Sequence, residues 1–197
     1  AQKRLLADVS HELRSPLARL QMALGLAYQQ HVDPDTLSRV EREAERMEAL
    51  VAQLLTLSRV EAGHVSLTKQ LLTDVLNDVF TDANFEAQNK NKQLSIAEVP
   101  QITVEVDSNM LCRAVENVIR NAIRHSKALT SVTFGHDDTR WRITISDDGD
   151  GLSLEECKQI FSPFYRATLA RERESGGVGL GLSIAKAAVE LHNGVIC

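Results

Sequence analysis

Apolar residues recur at steps of three and four from the start of the chain, where Leu6, Val9, Leu13, Leu17, Leu20, Leu24 and Ala27 form one stripe. The spacing predicts an amphipathic helix from about residue 2 to about residue 29, roughly 40 Å long at 1.5 Å per residue. His31-Val32-Asp33-Pro34-Asp35 breaks it; Asp33 or Asp35 can cap the next helix, and Pro34 fits its first turn. That second helix carries Leu37, Val40, Ala44, Met47, Val51, Leu54 and Ser58, a heptad seam widened at its flanks by Leu50, Leu55 and Leu57, and Gly63 ends it. A two-helix hairpin cannot bury so broad a face. Two hairpins packed as a four-helix bundle can, so a homodimer is expected.

Beyond Gly63 the texture becomes alternating strands and helices. Residues 65–68, 93–97 and 102–106 read as strands, and Leu72, Val75, Val79 and Phe80 set a helix over residues 71–89. Asp107 or Ser108 caps a helix reaching about His125, and residues 131–136 and 141–146 form a hairpin around Asp137-Asp138-Thr139. Ser153 starts a short helix, residues 179–192 form a last helix opened by glycines, and Val195-Ile196-Cys197 reads as the beginning of a strand. A mixed sheet covered on one face by helices, an α/β sandwich, accommodates these elements.

Composition narrows the function. With 197 residues, 43% of them hydrophobic and 25% charged, the chain can build one large or two small cored domains. A formal net charge of −5, with bases interspersed among acids, argues against nucleic acid as a partner. Cys112, Cys157 and Cys197 are far apart and odd in number, which favours a reducing compartment over disulfides or a metal pair. No apolar run of about 18 residues and no signal-peptide pattern is present, so this piece is expected to be soluble.

The candidate chemistry begins at Ser10-His11-Glu12-Leu13-Arg14-Ser15-Pro16-Leu17. His11 lies two residues from both Val9 and Leu13, about 200° around the helix from each, and so points to solvent. An imidazole with an ordinary pKa of about 6.5 is largely neutral at pH 7 and its ring nitrogen can be a nucleophile. Glu12 can accept or orient its proton, Ser15 shares its face at i+4, and Pro16 bends the backbone just beyond. Farther on, Asn117 and Asn121 share a helix face that Arg124 continues, and an amide oxygen is a hard ligand suited to Mg²⁺ held together with phosphates. Asp147 ends an apolar strand before Gly149 and Gly151. A carboxylate only accepts, so a buried Asp147 suits an amino donor such as that of adenine. Gly177, Gly179 and Gly181 lead into a helix whose unpaired N–H groups can face polyphosphate. They come late and after a polar loop, unlike the dinucleotide-binding fingerprint.

Taken in order, residues 10–17, 116–125, 147–151, 161–166 and 176–182 resemble the H, N, G1, F and G2 boxes of sensor histidine kinases, and the resemblance covers essentially the whole chain. Within that family it looks most like the Cpx type of envelope-stress sensor kinases of Gram-negative bacteria, through residues 171–177 and 116–126. The resemblance implies a dimerisation and histidine phosphotransfer domain over residues 1–62, a linker over 63–68, and a catalytic domain of the GHKL (Bergerat) ATP-binding type over 69–197 that lacks its last strands. It also implies a membrane-spanning sensor region upstream, placing the chain as a cytoplasmic fragment of an inner-membrane protein.

Carried over residue by residue, His11 would be the phosphoacceptor, Glu12 its base or orienting group, and Ser15 the position where relatives use Thr or Asn for phosphatase action. Glu116 would support the site or activate water, Asn121 would hold Mg²⁺ with Asn117 in the same cluster, and His125 stands where relatives often have tyrosine near the nucleobase. Asp147 would contact adenine, with Gly149 and Gly151 beside it. Tyr165 through Ser175 looks like the ATP lid, with Arg166, Arg171 or Arg173 gripping the γ-phosphate, and Gly177, Gly179, Gly181 and Leu182 would line the nucleotide. ATP, Mg²⁺ and a response-regulator receiver domain are the implied cofactors and partner. The alternatives are an ATPase of the gyrase, Hsp90 or MutL kind without phosphohistidine, and a dimeric signalling scaffold with an inactive nucleotide site.

Overall fold

The structure, a computed structural model, describes residues 65–137, 140–163, 165 and 179–197, together with Val40, Ala44 and Met47. His11, Glu12, Ser15, Arg166, Arg171, Arg173 and Gly177 lie outside the described residues, as does nearly all of the expected helical hairpin. The three isolated seam residues are helical; Ala44 is buried, and Val40 and Met47 are exposed on the single chain.

The described elements follow the order β1 (Thr68–Leu71), α1 (Leu72–Asn89), β2 (Gln93–Ile96), β3 (Thr103–Val106), α2 (Ser108–His125), β4 (Leu129–His136), β5 (Trp141–Asp147), α3 (Leu154–Gln159) and α4 (Gly181–Leu191). β1 and β3 form an antiparallel ribbon. The other three make a mixed sheet in the order β2-β4-β5, parallel between β2 and β4 and antiparallel between β4 and β5. Leu94, Ile96, Val132, Phe134, Ile143 and Ile145 turn inward against α1 and α2, whereas Ser95, Thr133, Arg142 and Thr144 on alternate positions are exposed. One apolar face and one polar face are what an antiparallel hairpin with helices on a single side requires.

Leu72, Leu76, Phe80, Ala83 and Ala87 of α1 meet Leu111, Val115, Ile119 and Ile123 of α2 over that sheet, with Phe80 edge-on to Phe134 at 6.0 Å between ring centroids. A second seam joins α2 to α4 through Ala114, Ala185 and Ala188. Side chains this small let the two helices approach closely.

Both ends of α2 are held from outside the helix. At its start the Asp107 carboxylate accepts from Met110 N at 3.1 Å, capping an orphan donor. The backbone N–H of Asp107 donates to His192 Nε2 at 2.9 Å, so Nδ1 carries the proton that it shares with Ala188 O at 2.7 Å, tying α4 to the same point. At its end Lys92 Nζ donates to the carbonyls of Ile123, Arg124 and Ser126 at 2.6, 3.0 and 2.6 Å. Helix C-terminal carbonyls lack intrahelical partners and lie at the negative end of the macrodipole, so one ammonium satisfies several of them together.

Several boundaries differ from the sequence expectation. β1 begins at Thr68 rather than residue 65, because its position is set by pairing with β3, from Thr68 opposite Val106 to Leu71 opposite Thr103. β4 begins at Leu129, two residues early, because Gln93 through Ile96 pair with residues 129–132. The last helix opens at Gly181, since Gly179 holds a left-handed φ of +79° that no helix tolerates. Val195-Ile196-Cys197 joins no strand; Ile196 packs instead on the alanine seam. The hairpin turn closes through Asp137, whose N–H donates to Arg140 O and whose carboxylate accepts from Arg140 N. Ser153 caps α3 in a reciprocal pair with Glu156.

Two predictions follow from these ties. Lys92→Met removes the donor shared by three carbonyls, of which Ile123 O keeps the Ser126 hydroxyl, and should cost about 1–3 kcal/mol, lowering the thermal midpoint by several degrees in a calorimetric scan. The carboxylate of Asp148 accepts from Ala128 N and Lys127 N, and chiefly the Ala128 bond holds its pKa below the ordinary value. A depressed carboxyl contributes stability above its unfolded pKa of about 3.9 and loses it as pH falls through the lower folded value. Asp148→Asn should therefore melt lower than the parent at neutral pH, and the difference should vanish progressively below about pH 4.

Candidate functional site

The polar face of α2 is where the predicted residues converge. Asn117 and Asn121 are half-buried, one turn apart, and Arg124 and His125 are exposed in the last turn. α4 abuts this face at its first residue. A Cβ built on Gly181 would stand 3.0 Å from Asn117 Oδ1, so the glycine brings bare backbone against the amide. No side chain caps α4, whose N-cap residue, Leu180, is wholly buried. Its opening N–H groups and the positive end of its dipole lie beside Asn117. Leu182 is half-buried in that first turn, and Ser183 is buried with its hydroxyl donating to Leu180 O at 2.9 Å.

The far end of α2 meets the loop after β5. A Cβ on Gly149 would fall 2.5 Å from His125 O and 2.6 Å from Asp147 Oδ1, distances that no side chain can occupy. Gly149 N donates to Asp147 Oδ1 at 2.9 Å, which fixes one oxygen of that carboxylate and leaves Oδ2 without a hydrogen bond among the described residues. The strand ends at Asp147 as the sequence reading expects, but the residue is exposed rather than buried. It lies at the rim of the sheet, where the chain leaves β5. Gly151 adopts φ +74°, and Asp148 stitches the loop to Lys127 and Ala128, with Lys127 Nζ also on Asp150 Oδ1 at 2.6 Å. The Asp150 pairing raises the Lys127 pKa at a fully exposed position.

The structure thus brings Asn117 to Gly181, and His125 to Gly149 and Asp147, on one helix. It does not bring Glu116 to the asparagines. Glu116 lies about 100° around α2 from Asn117, and its carboxylate pairs with Arg120 at 3.1 Å, which in turn binds Glu86 of α1 at 2.9 Å. Tyr165 is half-buried, with its N–H on Ser162 O. Phe161 sits under Lys186 of α4, 5.9 Å from ammonium to ring centroid, linking the turn after α3 to the helix that carries Gly181.

Sequence reasoning passed over two residues of this region. Lys92 before a strand reads as a solvated charge, and nothing local marks it as the cap of α2. Thr130 fell outside the expected strand, although its alternation with Val132 and Phe134 marks an inward position. Among the described residues no cluster of His, Cys, Asp and Glu could hold a metal. The donors that fit Mg²⁺ with phosphate are the amides of α2, which Gly181 leaves uncovered by any side chain of its own. No described helix is long and apolar enough to cross a membrane.

Comparison with known proteins shows the family. Residues 1–63 match the His Kinase A (phospho-acceptor) domain, and residues 106–197 match the histidine kinase-, DNA gyrase B-, and HSP90-like ATPase family. The sensor histidine kinase CpxA of Escherichia coli strain K12 is 40% identical over 196 residues, which are 98% of this chain and 43% of that protein. The sensor histidine kinase MtrB of Mycolicibacterium paratuberculosis is 36% identical over 203 residues, covering 98% of this chain and 36% of its own. The chain therefore spans less than half the length of these relatives. Among solved structures, full-length ShkA in complex with AMPPNP shares the fold at a TM-score of 0.79 and 22% identity, over 96% of this chain and 41% of that one. The Acinetobacter baumannii histidine kinase AdeS gives a TM-score of 0.61 at 26% identity, over 92% and 86%. With a phospho-acceptor region followed by a GHKL-type α/β region, and with relatives aligned along nearly all of its length, the chain belongs to the sensor histidine kinases.

Proposed function

We propose that this chain binds ATP between α2, α4 and the loop after β5, transfers the γ-phosphoryl group to His11, and passes it to an aspartate of a response-regulator receiver domain. The observation that carries this reading is that the two glycine-built approaches, Gly149 at His125 and Asp147 and Gly181 at Asn117, fall on one helix. His125 and Asn117 are two turns apart, about 12 Å along the axis. A nucleoside at one end and its phosphates at the other match that span. Asp147 would accept the adenine amino group, and the uncapped start of α4 would face the phosphates.

Within this reading a neutral ring nitrogen of His11 attacks the γ-phosphorus, a P–N bond forms as the bond to the bridging oxygen breaks, and ADP leaves. Glu12 takes or orients the ring proton. Mg²⁺, when bound, would supply charge neutralisation on the phosphates, and the Asn121 amide oxygen, with Asn117 beside it, would hold it. Arg166, Arg171 or Arg173 can grip the γ-phosphate as charge-assisted donors. In the second transfer the P–N bond breaks as a regulator carboxylate oxygen takes the phosphorus. Ser15 keeps a hydroxyl four residues beyond His11 and can position a water whose oxygen takes the phosphorus as the regulator's aspartyl–phosphate bond breaks, releasing inorganic phosphate. The helical seam at Val40, Ala44 and Met47 supports a homodimeric four-helix bundle, and membrane attachment would come through a sensor region outside this sequence.

His11→Gln should abolish acid-labile, base-stable labelling from γ-labelled ATP while ADP affinity stays within about twofold of the parent; ATP turnover without any phosphohistidine would place the chain among the ATPases instead. Gly181→Val should push against Asn117 and weaken Mg-ATP binding about tenfold or more by isothermal titration, the loss of charge-assisted contacts at the α4 terminus. Release of phosphate from a phosphorylated regulator should fall with Ser15→Ala if the hydroxyl positions water.

A further inference from the structure

The chain enters the strand-and-helix region beside Asp107, a residue engaged on three sides. Its Oδ1 accepts from Met110 N at 3.1 Å as the cap of α2, its backbone N–H donates to His192 Nε2 at 2.9 Å beyond the end of α4, and its Oδ2 accepts from Ser66 N at 3.2 Å. Ser66 is exposed and stands two residues before β1, whose first pair joins Thr68 to Val106, the neighbour of Asp107. Capping alone does not select the acid, because Asn and Asp cap helices about equally well. An asparagine has one acceptor oxygen, and with that oxygen on Met110 N its NH₂ group would face the Ser66 N–H. Only the contact with Ser66 calls for a second oxygen. The helix holds the carboxylate and His192 holds the backbone, so Oδ2 has a fixed place at which to receive the incoming chain.

We propose that Asp107 is a positioning residue for phosphoryl transfer: its Oδ2 latches the chain at Ser66 and so sets how far the ATP-binding region can travel toward His11. The inference rests on the phosphotransfer reading and adds to it a residue that touches neither nucleotide nor His11. With the latch closed, the chain is fixed from Ser66 onward; with it open, the first fixed residue is Thr68, in its ladder with β3. Two freed residues add about 7 Å of reach at roughly 3.3–3.6 Å each. Reacting atoms must come within about 3–3.5 Å of each other, so a change of that size decides whether the γ-phosphate meets the imidazole. The open form is the one that transfers, and the closed latch restrains it. One such exposed bond shifts a population about fivefold, so the latch opens without unfolding anything. α4 keeps its place meanwhile, because His192 and the seam of Ala114, Ala185 and Ala188 hold it independently of Ser66. The contact of Gly181 with Asn117 is therefore the same in both forms, and nucleotide affinity does not follow the latch.

The test compares the parent with Asp107→Asn, with Ser66→Pro, which deletes the donor itself, and with the double variant. Four quantities are read: amide hydrogen exchange at Ser66, melting, Mg-ADP affinity, and the maximal rate and ATP KM of His11 labelling. Asp107→Asn should speed exchange at Ser66 about fivefold. Each single variant should raise the maximal labelling rate about threefold to fivefold, up to the worth of the bond, with ATP KM and Mg-ADP affinity within about twofold of the parent. The double variant should match the singles rather than multiply them, because both remove one bond. Asp107→Ala, which also loses the cap, should melt below Asp107→Asn. Should Ser66→Pro fail to fold, Asp107→Asn carries the comparison. A Ser66 amide no better protected in the parent than in Asp107→Asn overturns the latch. Faster exchange with an unchanged labelling rate overturns the positioning role and leaves the bond structural; a labelling rate that falls in step with melting does the same. A parent that binds Mg-ADP yet never labels His11 overturns the phosphotransfer reading, and this inference with it.

Discussion

The last turn of α2 is the constraint on which the rest depends. Its carbonyls must be satisfied without a side chain standing over them, because the loop after β5 has to pass within contact of His125 O. Lys92 meets the first demand by reaching in from the start of β2, where it donates to three carbonyls at once. Gly149 meets the second by having no Cβ to clash. Two residues distant in sequence, one cationic and one bare, thereby set where β5 ends relative to the helix and so where Asp147 stands.

The same helix divides its circumference among three tasks. Leu111, Val115, Ile119 and Ile123 face the sheet and α1, Ala114 faces α4 at close range, and Asn117 and Asn121 occupy the sector beside that seam. Close packing through alanines is what brings the first residue of α4 onto Asn117. Packing and candidate chemistry are therefore coupled. A change that spread the α2–α4 seam would move the uncapped helix end away from the amides, even with every polar residue in place.

Much of this was legible in the sequence because it is local. The 3.6-residue period of Leu72, Val75, Val79 and Phe80 marks α1, Asp107 marks the start of α2, and Ser153 with Glu156 marks α3. The i,i+4 spacing of Asn117 and Asn121 places them together without any tertiary knowledge. What escaped depends on partners far along the chain. The start of β1 is chosen by β3, the start of β4 by β2, and the partners of Lys92 lie more than thirty residues away. Glu116, adjacent to Asn117 in sequence, pairs with Arg120, which in turn binds Glu86 of α1, a link that motif reading did not foresee. His11, Glu12 and Ser15, the residues proposed for phosphotransfer, lie outside the described residues.

The most direct test of the nucleotide site is amide chemical-shift mapping as Mg-ADP is added to the ¹⁵N-labelled chain. The account predicts that the largest saturable shifts fall on Gly149, Gly151, Gly181 and the side-chain amides of Asn117 and Asn121, with the outer face of the sheet at Ser95, Thr133 and Thr144 unmoved. Shifts confined to that outer face, or none at saturating nucleotide, would contradict it.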